Sequence, residues 1–281
     1  MLIFAHPDDE TFSCAGVMAL AAEHGVPVTL LSVTRGEAGK TGIPQLDQPE
    51  ILGAVREQEL RAAAATVGVA DVRFLDYRDS GMAGAPENDD PRAFIRAHEG
   101  EVVARLVVHL RAVRPATLIT FGPEGIYGHP DHLRTHRSAV AAVVAVGDGA
   151  YRPELGDPWQ TTALYFSAVP RERMLALMDR PDGPLRELSP EDRQKVGTPR
   201  DEITTVVDIA RFAAQKEQAL AAHRTQTGDG GPLAGMPTEQ RRATLAREHF
   251  VRQPLPWDPD PASLPTDLVA ALAAASPVDP A

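Results

Sequence analysis

Short apolar runs alternate with segments of helical length through the first half of the chain, and that alternation limits the folds open to it. Residues 2–5, 26–34, 72–75 and 117–121 read as strands. Residues 11–24, 51–67, 98–113 and 131–146 carry apolar side chains at helical spacing. Gly25 and Gly68 follow the first two as stop signals, and Pro115 stands just beyond the third. Strands separated by whole helices cannot pair as tight hairpins. They pair through βαβ crossovers, so the expected class is α/β, with a mainly parallel sheet flanked by helices.

The second half is less regular. Residues 163–169 and 202–207 read as strands, 208–223 as a helix with Asp208 as N-cap, and 238–249 as a further helix. Stretches rich in Pro and Gly, at 180–200 and 227–237, lie between them. With no internal repeat and no two-domain break, residues 1–251 read as a single domain. Residues 252–281 hold seven prolines and read as a Pro/Ala-rich tail, with one short helix near 268–274.

Charge and cysteine content narrow the function. Lys and Arg number 28 against 39 Asp and Glu, a formal net charge of −11, which argues against a broad nucleic-acid surface. No apolar run approaches the ~18–20 residues of a membrane span. No basic patch precedes the N-terminal apolar stretch, so a signal peptide is not expected. Cys14 is the only cysteine, which excludes internal disulfides and thiolate metal clusters; it reads as a small core residue. The expectation is a cytoplasmic protein with a small-molecule partner and neither nucleic acid nor membrane.

Two clusters carry the chemistry. In the first, an apolar strand runs directly into His6-Pro7-Asp8-Asp9-Glu10. Pro7 biases His6 to an extended backbone, so the strand ends there. Ligands of open α/β sheets bind beyond the carboxyl ends of strands. His6 and Asp9 offer a nitrogen and an oxygen suited to zinc, and Asp8 could face a metal-held water. A polar turn with an aspartate cap is the plainer alternative. In the second, Gly125-Ile126-Tyr127-Gly128-His129-Pro130-Asp131-His132 follows the strand at 117–121. Spacing permits His129, His132 or His136 as a third ligand, and Asp131 could orient an imidazole. Two His/Asp clusters, each after a strand, support a shared metal site more strongly than either alone.

These residues carry a family resemblance. His6-Pro7-Asp8-Asp9-Glu10 and Gly128-His129-Pro130-Asp131-His132 resemble the paired motifs of the LmbE-like, or PIG-L, zinc-dependent de-N-acetylases. The segments Arg78-Asp79-Ser80-Gly81-Met82-Ala83-Gly84, Gly156-Asp157-Pro158-Trp159 and Ala221-Ala222-His223-Arg224-Thr225-Gln226 are similar to the subgroup acting on mycothiol precursors and conjugates. The resemblance implies a Rossmann-like sheet and a site that binds Zn2+, with Fe2+ compatible with the same donors. It implies His6, Asp9 and His132 as metal ligands and Asp8 as general base. It implies His129, oriented by Asp131, as the group that stabilises the oxyanion or protonates the leaving amine. Tyr127 would polarise the acetyl carbonyl, and Arg56 and Asp79 would bind sugar hydroxyls. His136 is left as a supporting residue, and a homo-oligomer is compatible with the family.

The expected reaction is removal of the N-acetyl group from an N-acetylglucosaminyl compound of low-molecular-weight thiol synthesis, mycothiol-like or bacillithiol-like. A thiol-conjugate amidase of the same family is the alternative, and a sugar-binding protein without catalysis a third reading. A different class rests on Thr34-Arg35-Gly36-Glu37-Ala38-Gly39-Lys40-Thr41, which resembles a nucleotide-binding loop but has Thr where the pattern requires Gly.

Overall fold

The computed structural model describes residues 1–41, 43–46, 48–179, 189–228, 233, 235–260, 268 and 270. Seven strands form one sheet: β1 (Leu2–Phe4), β2 (Thr29–Thr34), β3 (Asp71–Tyr77), β4 (Thr117–Phe121), β5 (Ala163–Ala168), β6 (Thr205–Asp208) and β7 (Arg247–Gln253). Their order is β3-β2-β1-β4-β5-β7-β6. The first five are parallel, and β7 runs antiparallel to both β5 and β6.

The described helices of at least eight residues are α1 (Asp9–Glu23), α2 (Pro49–Thr66), α3 (Glu99–Val113), α4 (Pro130–Gly147), α5 (Arg171–Met178), α6 (Ala213–Ala222) and α7 (Thr238–Leu245). Strand alternation sorts the core onto two faces. Leu2, Phe4, Leu30, Ile119 and Phe121 pack with α1 and α2 through Val17, Met18, Leu60 and Ala64. Ile3, Leu31, Val33 and Leu118 pack with α3 and α4 through Leu106, Leu110, Ala139 and Val143. Gly25 and Gly68 end α1 and α2 at φ 69° and 81°, a left-handed turn that side chains resist.

This order fixes where a ligand can sit. From β1 the chain builds outward through β2 and β3, then returns to β1's other side with β4. The sheet switches direction between β1 and β4, and such a switch opens a crevice at the carboxyl ends of the two strands. His6 and the segment 125–132 follow those ends.

The second half departs from expectation in three places. The expected helix at 238–249 stops at Leu245, and the chain enters β7, which separates β5 from β6. β7 also continues past residue 251, and beyond it Leu255 and Trp257 pack into the core, so the tail does not part from the domain at 252. Asp208 ends β6 and accepts from the Ala210 N–H at the start of a short 3-10 turn (Ala210–Phe212); the cap position of α6 is taken by Phe212. Of the helix expected near 268–274, only Leu268 and Ala270 are described; the rest of 261–281 lies outside the described residues. No helix among the described residues is long and apolar enough to cross a membrane.

Candidate metal centre and active site

The β1 cluster is folded by its own hydrogen bonds. The Ala5 carbonyl accepts from the Thr34 N–H and hydroxyl, extending the sheet contact past β1. The chain then turns so that the His6 N–H donates to Asp9 Oδ2 at 2.7 Å. Asp9 begins α1. After β4, the turn at Gly125–Gly128 places Ile126 at φ 65° and Tyr127 at φ −138°. His129 caps α4, and Pro130 occupies the first helical position, where its missing N–H costs nothing.

Three side chains converge. His6 Nδ1 lies 3.2 Å from His132 Nε2, Asp9 Oδ2 is 3.5 Å from His6 Nδ1, and Asp9 Oδ1 is 3.2 Å from His132 Nε2. Donors on a tetrahedral zinc with ~2.0–2.1 Å bonds stand about 3.3–3.4 Å apart, so the spacing fits such an ion. The outer nitrogens set the tautomers. His132 Nδ1 donates to the Gly125 carbonyl at 3.1 Å. His6 Nε2 faces Asp131 Oδ2 at 3.2 Å and Asp79 Oδ1 at 3.3 Å. Both inner nitrogens can then face one cation. Without an ion there, burial works against a charged His6, but Asp79, Asp131 and Asp9 outweigh it and keep the ring protonated, well above its ordinary pKa. His6, Asp9 and His132 are all buried.

The supporting carboxylates differ from expectation. The Asp131 carboxylate meets His6 rather than His129, and also accepts from the Ser80 N–H at 2.9 Å. His129 is held instead by the Asp131 backbone, whose N–H donates to Nδ1 at 3.2 Å. The reason is helical geometry: in the first turn of α4, Asp131 faces back toward β1 while its N–H points at the cap. Asp79 accepts from the N–H groups of Gly81 and Ala38 besides facing His6, so much of its capacity is taken up within the protein. His136 bonds the Phe121 carbonyl at 2.9 Å and packs edge-on against Phe166, outside the donor cluster.

Asp8 borders the donors. Its backbone stands at φ 123°, ψ −31°, unusual for a residue with a side chain. Arg56 is buried, donates to the carbonyls of Pro7 and Gly36, and lies 3.5 Å from Asp8 Oδ1. It therefore acts on Asp8 and its loop, a contact that spacing could not foresee. The same guanidinium fills the glycine loop: a Cβ at Gly36 or Gly39 would meet Arg56 Nη1 at 2.2 or 2.6 Å. The loop leads into a 3-10 turn (Pro44–Leu46) rather than a helix, so it lacks the strand–loop–helix cradle of a phosphate site.

Burial and neighbours set the charges. Burial pushes the Asp8 carboxyl up to about 6; Arg56 opposes this and Asp9 adds to it. Burial works against ionised Asp9, but His132 and His6 hold it well below the usual carboxylate range. Burial, with His6 and His132 nearby, lowers His129 to about 2 and keeps it neutral. Burial raises Tyr127, so its phenol keeps its proton. Its ring stands edge-on to His132 at 5.0 Å and to His129 at 6.2 Å.

The sequence reading gave Glu10 no role, and His223 only a subgroup match. Glu10 Oε2 accepts the Asp8 N–H at 3.0 Å, and Oε1 lies 3.0 Å from His223 Nε2. The signal was the position of Glu10 within the motif itself. Cys14 is buried in the core, as expected.

Known proteins share this architecture. The family model described as PIG-L: GlcNAc-PI de-N-acetylase matches residues 1–143. A protein of Geodermatophilus obscurus named 1D-myo-inositol 2-acetamido-2-deoxy-alpha-D-glucopyranoside deacetylase is 40% identical over 266 residues, covering 89% of this chain and 90% of its own. One of the same name from Streptomyces scabiei is 37% identical, covering 89% and 83%. Among solved structures, a conserved protein of Thermus thermophilus superposes with a TM-score of 0.59 at 26% identity, covering 94% and 98%. N,N'-diacetylchitobiose deacetylase from Pyrococcus horikoshii gives 0.62 at 19% identity over 90% and 82%, a likeness of fold.

Proposed function

The chain belongs to the PIG-L family of de-N-acetylases, and from that premise and the site's geometry we propose which substrate it takes and which residues act on it. It is an amide hydrolase, an N-acetylglucosaminyl deacetylase of low-molecular-weight thiol synthesis. The proposed substrate is the inositol-linked compound for which its 40% identical relative is named. The proposed metal is zinc, held by His6, Asp9 and His132.

A divalent cation there would supply Lewis-acid polarisation of the acetyl carbonyl and a hydrolytic nucleophile at neutral pH. The remaining work falls to the chain. Asp8 takes the proton of the attacking water, then returns it to the amine as the C–N bond breaks. Its pKa near 6 suits both transfers. His129 Nδ1 is occupied by the Asp131 N–H, so the ring's proton sits on Nε2. Neutral His129 therefore donates a hydrogen bond to the developing oxyanion, and the leaving amine is left to Asp8. Tyr127 supplies a second donor. Asp131 and Asp79 hold His6 in its ligating tautomer. Arg56 holds the carbonyl of Pro7 beside the base, and with Asp79 lines the sugar side.

The observation that carries this reading is the 3.2–3.5 Å triangle of His6, Asp9 and His132, with Asp8 next in sequence and His129 one cap away. The test is chelator-sensitive amine release from N-acetylglucosaminyl inositol, with the malate compound and a thiol conjugate as comparisons. Asp8→Ala is expected to keep its zinc and lose about 10³-fold or more in kcat. Wild-type turnover in that variant would overturn the base assignment. Release from only the malate compound or the conjugate would overturn the choice of inositol.

A further inference from the structure

Asp8 holds a backbone conformation that an aspartate does not choose. At φ 123° it lies where a side chain is strained, and such strain persists only when the surroundings over-determine it. The direction of the carboxylate follows from that backbone. Whatever holds the Asp8 backbone therefore aims the base.

The Asp8 carbonyl is held by the Thr11 and Phe12 N–H groups, at 2.9 and 3.0 Å, as α1 begins, and its N–H is held by Glu10. The Glu10 carboxylate is buried and receives three donors: the Asp8 N–H on Oε2 at 3.0 Å, and the Thr11 hydroxyl and His223 Nε2 on Oε1, the latter at 3.0 Å. His223 is wholly buried, and its Nδ1 has no hydrogen-bond partner. The tautomer with the proton on Nε2 leaves no buried N–H unmet, so Nε2 donates to Glu10. His223 is itself pinned at the end of α6. Its carbonyl accepts from the N–H groups of Gln226 and Thr227, at 2.9 and 2.8 Å. The Thr225 N–H and hydroxyl are held by Glu59 of α2, at 3.0 and 2.6 Å. Among the described residues, neither Glu10 nor His223 forms a hydrogen bond or ion pair with His6, Asp9 or His132.

We propose that Glu10 and His223 are positioning residues, a buried pair that fixes the strained backbone of Asp8 and so aims its carboxylate. The proposal rests on Asp8 being the base. It also accounts for the His223-Arg224-Thr225-Gln226 segment, in which Thr225 anchors the turn and His223 delivers the contact.

The test compares zinc-loaded wild type, His223→Ala, His223→Gln, Asp8→Ala and Asp8→Ala/His223→Ala for amine release and bound zinc. Hydrogen exchange of the Asp8 amide is followed by NMR in wild type and His223→Ala. His223→Ala is expected to lower kcat about 10- to 100-fold, with KM within about threefold and zinc content unchanged. His223→Gln, whose amide N–H can reach Glu10, recovers most of kcat. With Asp8 already removed, losing His223 costs less than about twofold more, because the group it positions is gone. The Asp8 amide exchanges at least about tenfold faster in His223→Ala. Equal losses in both backgrounds, zinc lost in parallel with activity, or unchanged exchange would each overturn the proposal. Wild-type turnover in Asp8→Ala would instead sink the base assignment, and the exchange measurement would still judge the clamp. Should His223→Ala fail to fold, Glu10→Gln takes its place with the same expectations.

Discussion

Lys216 of α6 and Glu248 of β7 form an ion pair with almost no access to water, and removing one partner has a calculable consequence. Nζ lies 2.6 Å from Glu248 Oε1, with side-chain exposures of 2% and 1%. Lys216 also donates to the Phe12 carbonyl at 2.8 Å, and Glu248 accepts from the N–H groups of Gly16 and Val17, each at 2.8 Å. The pair thus ties α6 and β7 to the middle of α1. At an effective dielectric of 20, charges this close attract by about 6 kcal/mol. Desolvating each ion costs several kcal/mol, so the pair's net worth is near zero. Breaking it differs from never having built it: in Lys216→Met the Glu248 carboxylate keeps two N–H donors but loses its counter-charge.

The expected cost of Lys216→Met is about 3–5 kcal/mol. For a domain of this size that lowers Tm by roughly 6–20 °C, readable by scanning calorimetry. The double variant Lys216→Met/Glu248→Gln removes the stranded charge while keeping an acceptor for α1, and should recover to within about 2 kcal/mol of wild type. Below the melting transition, zinc affinity and turnover should stay within about threefold, since the contacts of Asp9 and Glu10 are untouched. A Tm loss under about 2 °C for Lys216→Met, or a double variant that falls by the sum of the single losses, would refute the stranded-charge argument.

Further perturbations test other features. His132→Ala should weaken zinc binding by at least about 100-fold in a competition titration, while His136→Ala leaves it within about threefold; the reverse would move the third ligand to His136. Gly16→Ala ought to gain about 1 kcal/mol of helix propensity, but its Cβ would lie 2.5–2.7 Å from three atoms of Ile209, and overpacking of about 1–3 kcal/mol should win; a higher Tm would count against the packing. Burial, with Arg173, Arg200, Arg247 and Lys216 nearby, lowers His249 from its ordinary 6.5 to about 4. Between those values the unfolded chain binds a proton that the folded chain refuses, so this stabilisation is complete above about pH 6.5 and is lost as pH falls toward 4. The ring's partial exposure keeps the effect small. His249→Gln should flatten that section of the Tm–pH profile, and an unchanged slope would contradict the assignment.

Strands β1, β2 and β4 were legible because they lie inside the sheet and are buried on both faces. Thus Leu2, Ile3 and Phe4 declare β1 without ambiguity. β7 was not legible for the opposite reason. Its buried face is Glu248, Phe250 and Arg252, so two of three inward positions carry charge. Glu248 is neutralised by Lys216, and Arg252 by the carbonyls of Leu164 and Thr162 and by Asp258, partners that no local pattern reveals. A strand whose charges are satisfied from elsewhere in the fold reads locally as a polar helix. The site divides along the same line. The convergence of His6, Asp9 and His132 was readable because the first two closely follow β1, His132 lies in the first turn of the long helix after β4, and those strands are neighbours. Asp131, Asp79 and Arg56 lie at the same crevice but make contacts other than those the resemblance implied, because reach across the crevice depends on which strand lies opposite. Asp131 is two residues from His129 in the chain, yet its carboxylate spends itself on His6, 125 residues away. Sequence proximity gave His129 the Asp131 backbone instead, and that N–H, by fixing the proton on Nε2, suits the ring to the hydrogen-bond donor role proposed for it rather than to that of a second base.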